Sequence, residues 1–344
     1  MKIFLGCLVI VCLIASSTAR VEAQQDPMYS QYMFNGLSVN PAYAGIRETL
    51  TMAALYRKQW IGVDGAPTTF TFSMDTPIRN QKMALGLNLV QDKIGISNNM
   101  MINLAYAYRI VFSNQSLLSL GLQGGINQYR ADYGSVETSM NPGVGDNAFG
   151  KSTTSIFPNF GFGAYYHTEN FFLGVGVPKM IKNNLSGTNS PTIDFTSYPN
   201  RQNRHIFVTT GYNFDLNEDW ALKPSVLFKG VHGAPLEMDV NLNTWWKQKV
   251  GAGLSYRTSD AVVIMLQFQV KDELQFGYAY DMTVSKFSNT NSGSHELVLR
   301  YEPFAKEAKK NLARYAKKKT AYNKPRKNSN YRKKAYYKRK PRSR

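Results

Sequence analysis

Residues 26–75, DPMYSQYMFNGLSVNPAYAGIRETLTMAALYRKQWIGVDGAPTTFTFSMD, carry the pattern that decides the fold. A polar-aromatic lead-in runs to Asn40-Pro41-Ala42-Tyr43-Ala44-Gly45. A strand is expected over Thr49–Lys58, and the turn Gly62-Val63-Asp64-Gly65-Ala66-Pro67 feeds a second strand over Thr68–Asp75. In the second strand Phe70, Phe72 and Met74 alternate with Thr69, Thr71, Ser73 and Asp75. Successive side chains of a strand point to opposite faces, so one face is large and apolar and the other small and polar.

The chain beyond repeats this hairpin pattern. Alternation predicts about fourteen strands, the first two being those above. The others are Lys82–Asp92, Asn99–Phe112, Ser116–Tyr129, Ile156–His167, Phe171–Val177, Arg204–Asp215, Trp220–Lys229, Leu236–Trp246, Val250–Arg257, Ala261–Lys271, Leu274–Val284 and Glu296–Tyr301. A water-soluble β-sandwich would also alternate, so the connections arbitrate. Those after even-numbered strands are short (Ser113–Gln115, Thr168–Asn170, Lys247–Lys249, Asp272–Glu273), whereas Arg130–Ser155 and Pro178–Asn203 are long. Short turns on one rim and long loops on the other, with strands near 9–11 residues, describe an all-β transmembrane antiparallel barrel. Tyr56, Trp60, Tyr129, Trp220, Trp245 and Trp246 at strand ends are read as interfacial girdles. Gly86, Gly121, Gly161, Gly163, Gly174, Gly176, Gly251, Gly253 and Gly277 share the inward face, which suits strand bending or a body packed inside.

The ends of the chain differ from its middle. Lys2, the apolar run Ile3–Ile14 and Val21-Glu22-Ala23 read as a signal peptide over residues 1–23, too short for a transmembrane span. Acylation at Cys7 or Cys12 is disfavoured by the short apolar run ahead of Cys7 and by bulky Val11, so both cysteines leave with the signal. An exported chain without disulfide or thiol chemistry follows. Residues 24–47 form an N-terminal segment, 48–301 the barrel, and 302–344 a basic tail. Residues 306–344 hold 18 Lys and Arg and one acid, Glu307, which leaves about +1 of the formal +18 for residues 1–305. The tail lacks aliphatic residues for a core and is expected to be disordered when free, after a short helix over Ala305–Tyr315. Its Lys/Arg/Tyr mixture would suit nucleic acid, but export places it elsewhere, and no nucleic-acid partner is assigned.

Catalytic and metal chemistry leave little trace. There is no phosphate loop, Gly-x-Ser-x-Gly elbow or His-x-x-x-His pair, and His167, His205, His232 and His295 lie far apart, read as solvated or rim residues. No catalytic residue, cofactor or metal is assigned. Arg109, Glu237, Asp239, Asp281 and Arg300, with Arg257, fall on the lumenal face, as an ion-pair network or as a selectivity lining. The segment Asn141–Asn147 offers oxygen ligands, but turn chemistry explains it without a cation.

DPMYSQYMFNGLSVNPAYAG followed by RKQWIGVDGAPTTFTFSMDTPI resembles the signature of the PorP/SprF family of type IX secretion system outer-membrane proteins, found in Bacteroidetes. The matching residues are Asp26, Pro27, Gln31, Tyr32, Asn40, Pro41, Ala42, Tyr43, Ala44 and Gly45, then Gln59, Trp60, Gly62, Gly65, Ala66, Pro67 and Asp75. The resemblance implies an outer-membrane barrel serving secretion or surface attachment of cargo such as a gliding adhesin. It implies type IX partners that include an OmpA-like peptidoglycan-binding lipoprotein, besides the outer-membrane lipid. The basic tail lies outside the resemblance.

The reading is a non-enzymatic outer-membrane component, an adaptor or anchor with both termini periplasmic. The rival is a diffusion channel or uptake porin, and a membrane hydrolase with a site assembled across strands stands third. The mix of Tyr, Met, Phe, Asn and Gln in Asp26–Asn40 is too apolar for a free arm and does not alternate, so it is expected in the lumen or across the periplasmic mouth.

Overall fold

The computed structural model describes residues 27–78, 81–112, 116–132, 137–138, 141–145, 152–181, 204–231 and 234–307. Residues 1–23, expected to be a signal peptide, Asp26, His232 and the tail beyond Glu307 lie outside the described residues.

The strands are β1 (Thr51–Lys58), β2 (Thr68–Ile78), β3 (Met83–Ile94), β4 (Ser97–Val111), β5 (Leu117–Ala131), β6 (Glu137–Thr138), β7 (Asn141–Gly145), β8 (Thr153–His167) and β9 (Phe171–Val177). They continue as β10 (His205–Tyr212), β11 (Phe214–Asp215), β12 (Trp220–Val231), β13 (Glu237–Trp246), β14 (Val250–Arg257), β15 (Ala261–Lys271), β16 (Leu274–Thr283) and β17 (Ser294–Tyr301). β6 and β7 pair only with each other, and β11 adds two residues of ladder beside β12. The other fourteen form one antiparallel barrel in chain order. β1 closes it against β17, from Met52↔Tyr301 to Lys58↔His295, and β10 bridges to β12 with His205 opposite Val231. Closure leaves no unpaired edge, which a sheet in hydrocarbon requires.

Exposure settles which face meets which solvent. In β2, Thr69, Thr71, Ser73 and Asp75 are buried while Phe70 is exposed; in β4 and β5, Leu104 and Leu122 are 64% and 65% exposed. The alternation predicted from sequence is present with the apolar side outward, the reverse of a water-soluble sandwich and what an outer-membrane barrel needs. No helix among the described residues is long and apolar enough to cross a membrane, which is without bearing on strands. β1 begins and β17 ends on the rim that carries the turns at 168–170, 247–249 and 272–273.

Some expectations change. Several strands run past the predicted ends: β4 starts at Ser97, β8 at Thr153 and β17 at Ser294. The opposite rim is not uniformly long-looped, because Gly95-Ile96 joins β3 to β4 and 258–260 joins β14 to β15. Trp245 belongs to no girdle; it is buried on the lumenal face, while Trp220, Trp246 and Tyr56 are exposed outside. His205 is buried and stacked 6.0 Å from Phe207, not solvated. A helical turn is seen at residues 305–307, and the rest of the expected helix lies outside the described residues.

Candidate functional site

A barrel of this kind encloses space that must hold water or side chains. Here residues 27–47 fill much of it. The segment has no strand alternation, and its hydrogen bonds close three 3-10 turns, Tyr32–Phe34, Gly36–Ser38 and Pro41–Tyr43. Ser30, Gln31, Tyr32, Phe34, Leu37, Asn40, Ala42 and Ala44 are all buried. They touch inward residues of strands all round the barrel, so the segment lies within it.

One end of the segment is held by charge. Ser30 N and Gln31 N donate to the two oxygens of Glu296 at 2.9 and 2.8 Å. Ser30 Oγ sits 2.7 and 2.8 Å from the oxygens of Asp281 and accepts from Arg57 at 2.8 Å. Arg57 pairs with Asp281 at 2.7 Å and Glu296 at 3.1 Å, and Arg257 with Asp239 at 3.1 Å and Asp281 at 3.3 Å. Arg57 and Glu296, like Asp239 and Arg257, are direct cross-strand neighbours, so barrel register alone brings these pairs together. Buried ions are tolerable only when paired and hydrogen-bonded, and the segment completes that set.

The middle is held by packing and neutral hydrogen bonds. Tyr29, Tyr32, Phe34 and Val39 cluster with Leu55, Phe207, Leu227 and Val298 of the wall. The Tyr32 hydroxyl donates to Ser225 at 3.1 Å and accepts from Asn241 at 3.0 Å.

The other end is held by fit against glycine. Asn40 Oδ1 accepts from Ala42 N at 2.9 Å and starts the turn, with Pro41 at its first position, and Asn40 Nδ2 reaches Ala164 O at 3.0 Å. The wall facing it is Gly121, Gly163, Gly174 and Gly176. A Cβ on Gly121 would stand 2.5 Å from Ala42 Cα, and one on Gly176 2.9 Å from Asn40 Cα. Gly45 turns the chain out with φ +73°, a conformation that favours glycine, and its N–H donates to Asp75 at 2.8 Å. The two halves of the quoted stretch therefore meet, Gly45 on Asp75.

Of the lumenal charges picked from sequence, Arg109 pairs with Glu48 at 3.4 Å, and Arg300 lies 3.4 Å from Glu302 with its guanidinium 5.1 Å from the Phe34 ring. Glu302 also pairs with Arg47, Glu237 lies 3.5 Å from Lys229, and Asp239 and Asp281 join the Ser30 cluster. The signature residues of the first hairpin's turn, Gln59 to Pro67, stay on the opposite rim: Gln59 N bonds Pro67 O at 2.9 Å, Trp60 packs edge-on to Phe287, and Gly62 and Gly65 take positive φ. They do not join the lumenal segment. Sequence reasoning passed over Ser30, Arg57 and Glu296, although Arg57 and Glu296 fall at inward positions of their strands, where period two exposes them.

Beside the segment lies a cavity of about 360 Å3. Tyr32, Phe34 and Tyr43 line it from the segment, and Tyr165, Phe172, Lys223, Trp245 and Arg300 from the wall. No group of three or more metal-ligating side chains occurs among the described residues.

The family model for type IX secretion system membrane protein PorP/SprF matches residues 21–301. No curated protein matches the chain. Among solved structures, the chain is similar to the KdgM porin (9% identity, TM-score 0.35, 73% of this chain and 98% of that one) and to the CymD monoaromatic hydrocarbon channel (12%, 0.42, 77% and 90%). It is also similar to a Pseudomonas aeruginosa FadL homologue (14%, 0.39, 74% and 89%). Likenesses of that extent carry no argument; the barrel stands on its own strand pairing.

Proposed function

The chain belongs to the PorP/SprF family of type IX secretion system membrane proteins, and from that premise we propose that it is a non-enzymatic outer-membrane adaptor that anchors secreted cargo. One observation carries the reading: residues 27–47 occupy the lumen and are tied to the wall at both ends. A diffusion channel gains nothing from a buried ion-pair cluster that includes its own backbone N–H groups, whereas a docking platform gains rigidity. With the short-turn rim toward the periplasm, as in outer-membrane barrels generally, the basic tail leaves β17 into the periplasm. There its 18 cations attract acidic or anionic surfaces, with strong salt dependence. The family resemblance points to a surface adhesin as cargo and to an OmpA-like peptidoglycan-binding lipoprotein among the periplasmic partners. In this reading the signature residues Asp26, Pro27, Gln31, Tyr32, Asn40, Pro41 and Gly45 seat the lumenal segment, and Gln59 to Pro67 shape the outer rim.

The test is an affinity pull-down from detergent-solubilised outer membranes with the full chain and with a chain ending at Pro303. Recovery of a large secreted protein together with periplasmic secretion components supports the adaptor. Loss of the periplasmic partners alone on truncation assigns their binding to the tail. Recovery of no secretion component with either chain overturns the reading in favour of a channel.

A further inference from the structure

We propose that the cavity beside the lumenal segment is a binding site for a small amphiphilic anion, an apolar or aromatic body carrying one carboxylate, and that its occupancy locks the segment in place. The inference is independent of the adaptor reading. The volume, about 360 Å3, lies within the range of small-ligand sites. Its lining has the composition such sites need, aromatic surface with a few convergent polar groups. Tyr32, Phe34, Tyr165, Phe172 and Trp245 supply the first.

The polar groups are biased toward positive charge. Arg47, Lys223 and Arg300 all line the cavity, against one lining acid, Glu169, exposed on the rim turn. Arg47 and Arg300 share the single carboxylate of Glu302. Asp75, close by, is engaged by Gly45 N. Lys223 takes part in no ion pair among the described residues; its Nζ stands 5.1 Å from the Trp245 ring centroid and 3.4 Å from Gln248 Oε1. An ammonium held against an aromatic face at the edge of an aromatic cavity is placed to receive a carboxylate, a charge-assisted bond stronger than a neutral one. Because Tyr32, Phe34, Tyr43 and Arg47 belong to the lumenal segment and Tyr165, Phe172, Lys223, Trp245 and Arg300 to the wall, a ligand binds the assembled state and stabilises it.

The experiment uses the full chain in nanodiscs of phosphatidylcholine, with Trp60, Trp220 and Trp246 replaced by Phe so that fluorescence reports Trp245. The probes are 4-phenylbutyrate, 4-phenyl-1-butanol and 4-phenylbutylamine, which differ in charge and share a body. Calorimetry on the unsubstituted chain gives a second reading should the triple variant fail to fold. The expected result is saturable binding of the carboxylate, binding of the alcohol about tenfold weaker, and none of the amine. Lys223→Gln should weaken the carboxylate about tenfold and leave the alcohol unchanged, and amide exchange of residues 31–47 should slow with the carboxylate bound. Equal affinity for the three probes, no saturable binding, or an unaltered carboxylate affinity in Lys223→Gln would overturn the site; unchanged exchange at saturation would overturn the lock.

Discussion

Replacing Gly121 by alanine puts a methyl group where the lumenal segment already lies. The new Cβ would stand 2.5 Å from Ala42 Cα and from the Pro41 carbonyl carbon, and closer still to Ala42 N. All three are backbone atoms of a hydrogen-bonded turn, so no side-chain rotation relieves the overlap. The wall cannot yield either: Gly121 is laddered to Ala107 on one side and to Gly163 on the other. The segment must move by about an ångström, and overpacking of this kind costs about 1–3 kcal/mol. If that cost falls on the seated state, the displaced population rises about five- to 140-fold, at a factor of ten per 1.4 kcal/mol. Amide exchange of residues 40–44 measures the displacement directly, and conductance in planar bilayers measures whether the lumen opens with it. Gly124→Ala is the matched control, on the same strand but the outer face, where a Cβ meets only the Phe160 ring at 3.7 Å. Wild-type exchange in Gly121→Ala, or equal effects of both substitutions, would refute the fit argument.

Other perturbations probe the remaining attachments. Arg57→Gln leaves Asp281 and Glu296 short of a buried partner and should lower stability by about 3–5 kcal/mol in urea titrations of the reconstituted barrel; adding Glu296→Gln should restore part of the loss. Tyr32→Phe removes the hydroxyl shared by Ser225 and Asn241, and the same titration should register about 1–3 kcal/mol. Deleting residues 26–40 should raise the conductance above that of the intact chain, and an unchanged current would mean that the segment does not occlude the lumen. Capture of anionic partners by the full chain should fall steeply between low and physiological salt, while a chain ending at Pro303 should show no such dependence.

Much of the barrel was legible because strand alternation is a local signal. Thr69, Thr71, Ser73 and Asp75 declare a polar face from their spacing alone, and the same rule sets the span of nearly every strand to within a few residues. The inward glycines were legible as a group, yet not their purpose. Gly121, Gly163 and Gly176 become intelligible only beside Asn40, Pro41 and Ala42, about 80 to 135 residues away in the chain, a separation over which no local rule operates. Trp245 is a different case: a tryptophan at a strand end suits a girdle, but Trp245 shares the parity of Glu237 and Asp239 in β13, so the same alternation already puts it on the lumenal face. Ser30 escaped notice because a serine in an irregular segment carries no pattern.

The sequence by itself determined the family, the alternation, the number of barrel strands to within two and the charge of the tail, each written in neighbouring residues or in one contiguous motif. The tertiary structure decided that the lumen is occupied, which charges meet, and where the cavity lies. Ser30 and Glu296 are 266 positions apart and touch only because β1 closes on β17. Closure is a property of the whole sheet, and the contacts that depend on it exist nowhere in the chain until the last strand finds the first.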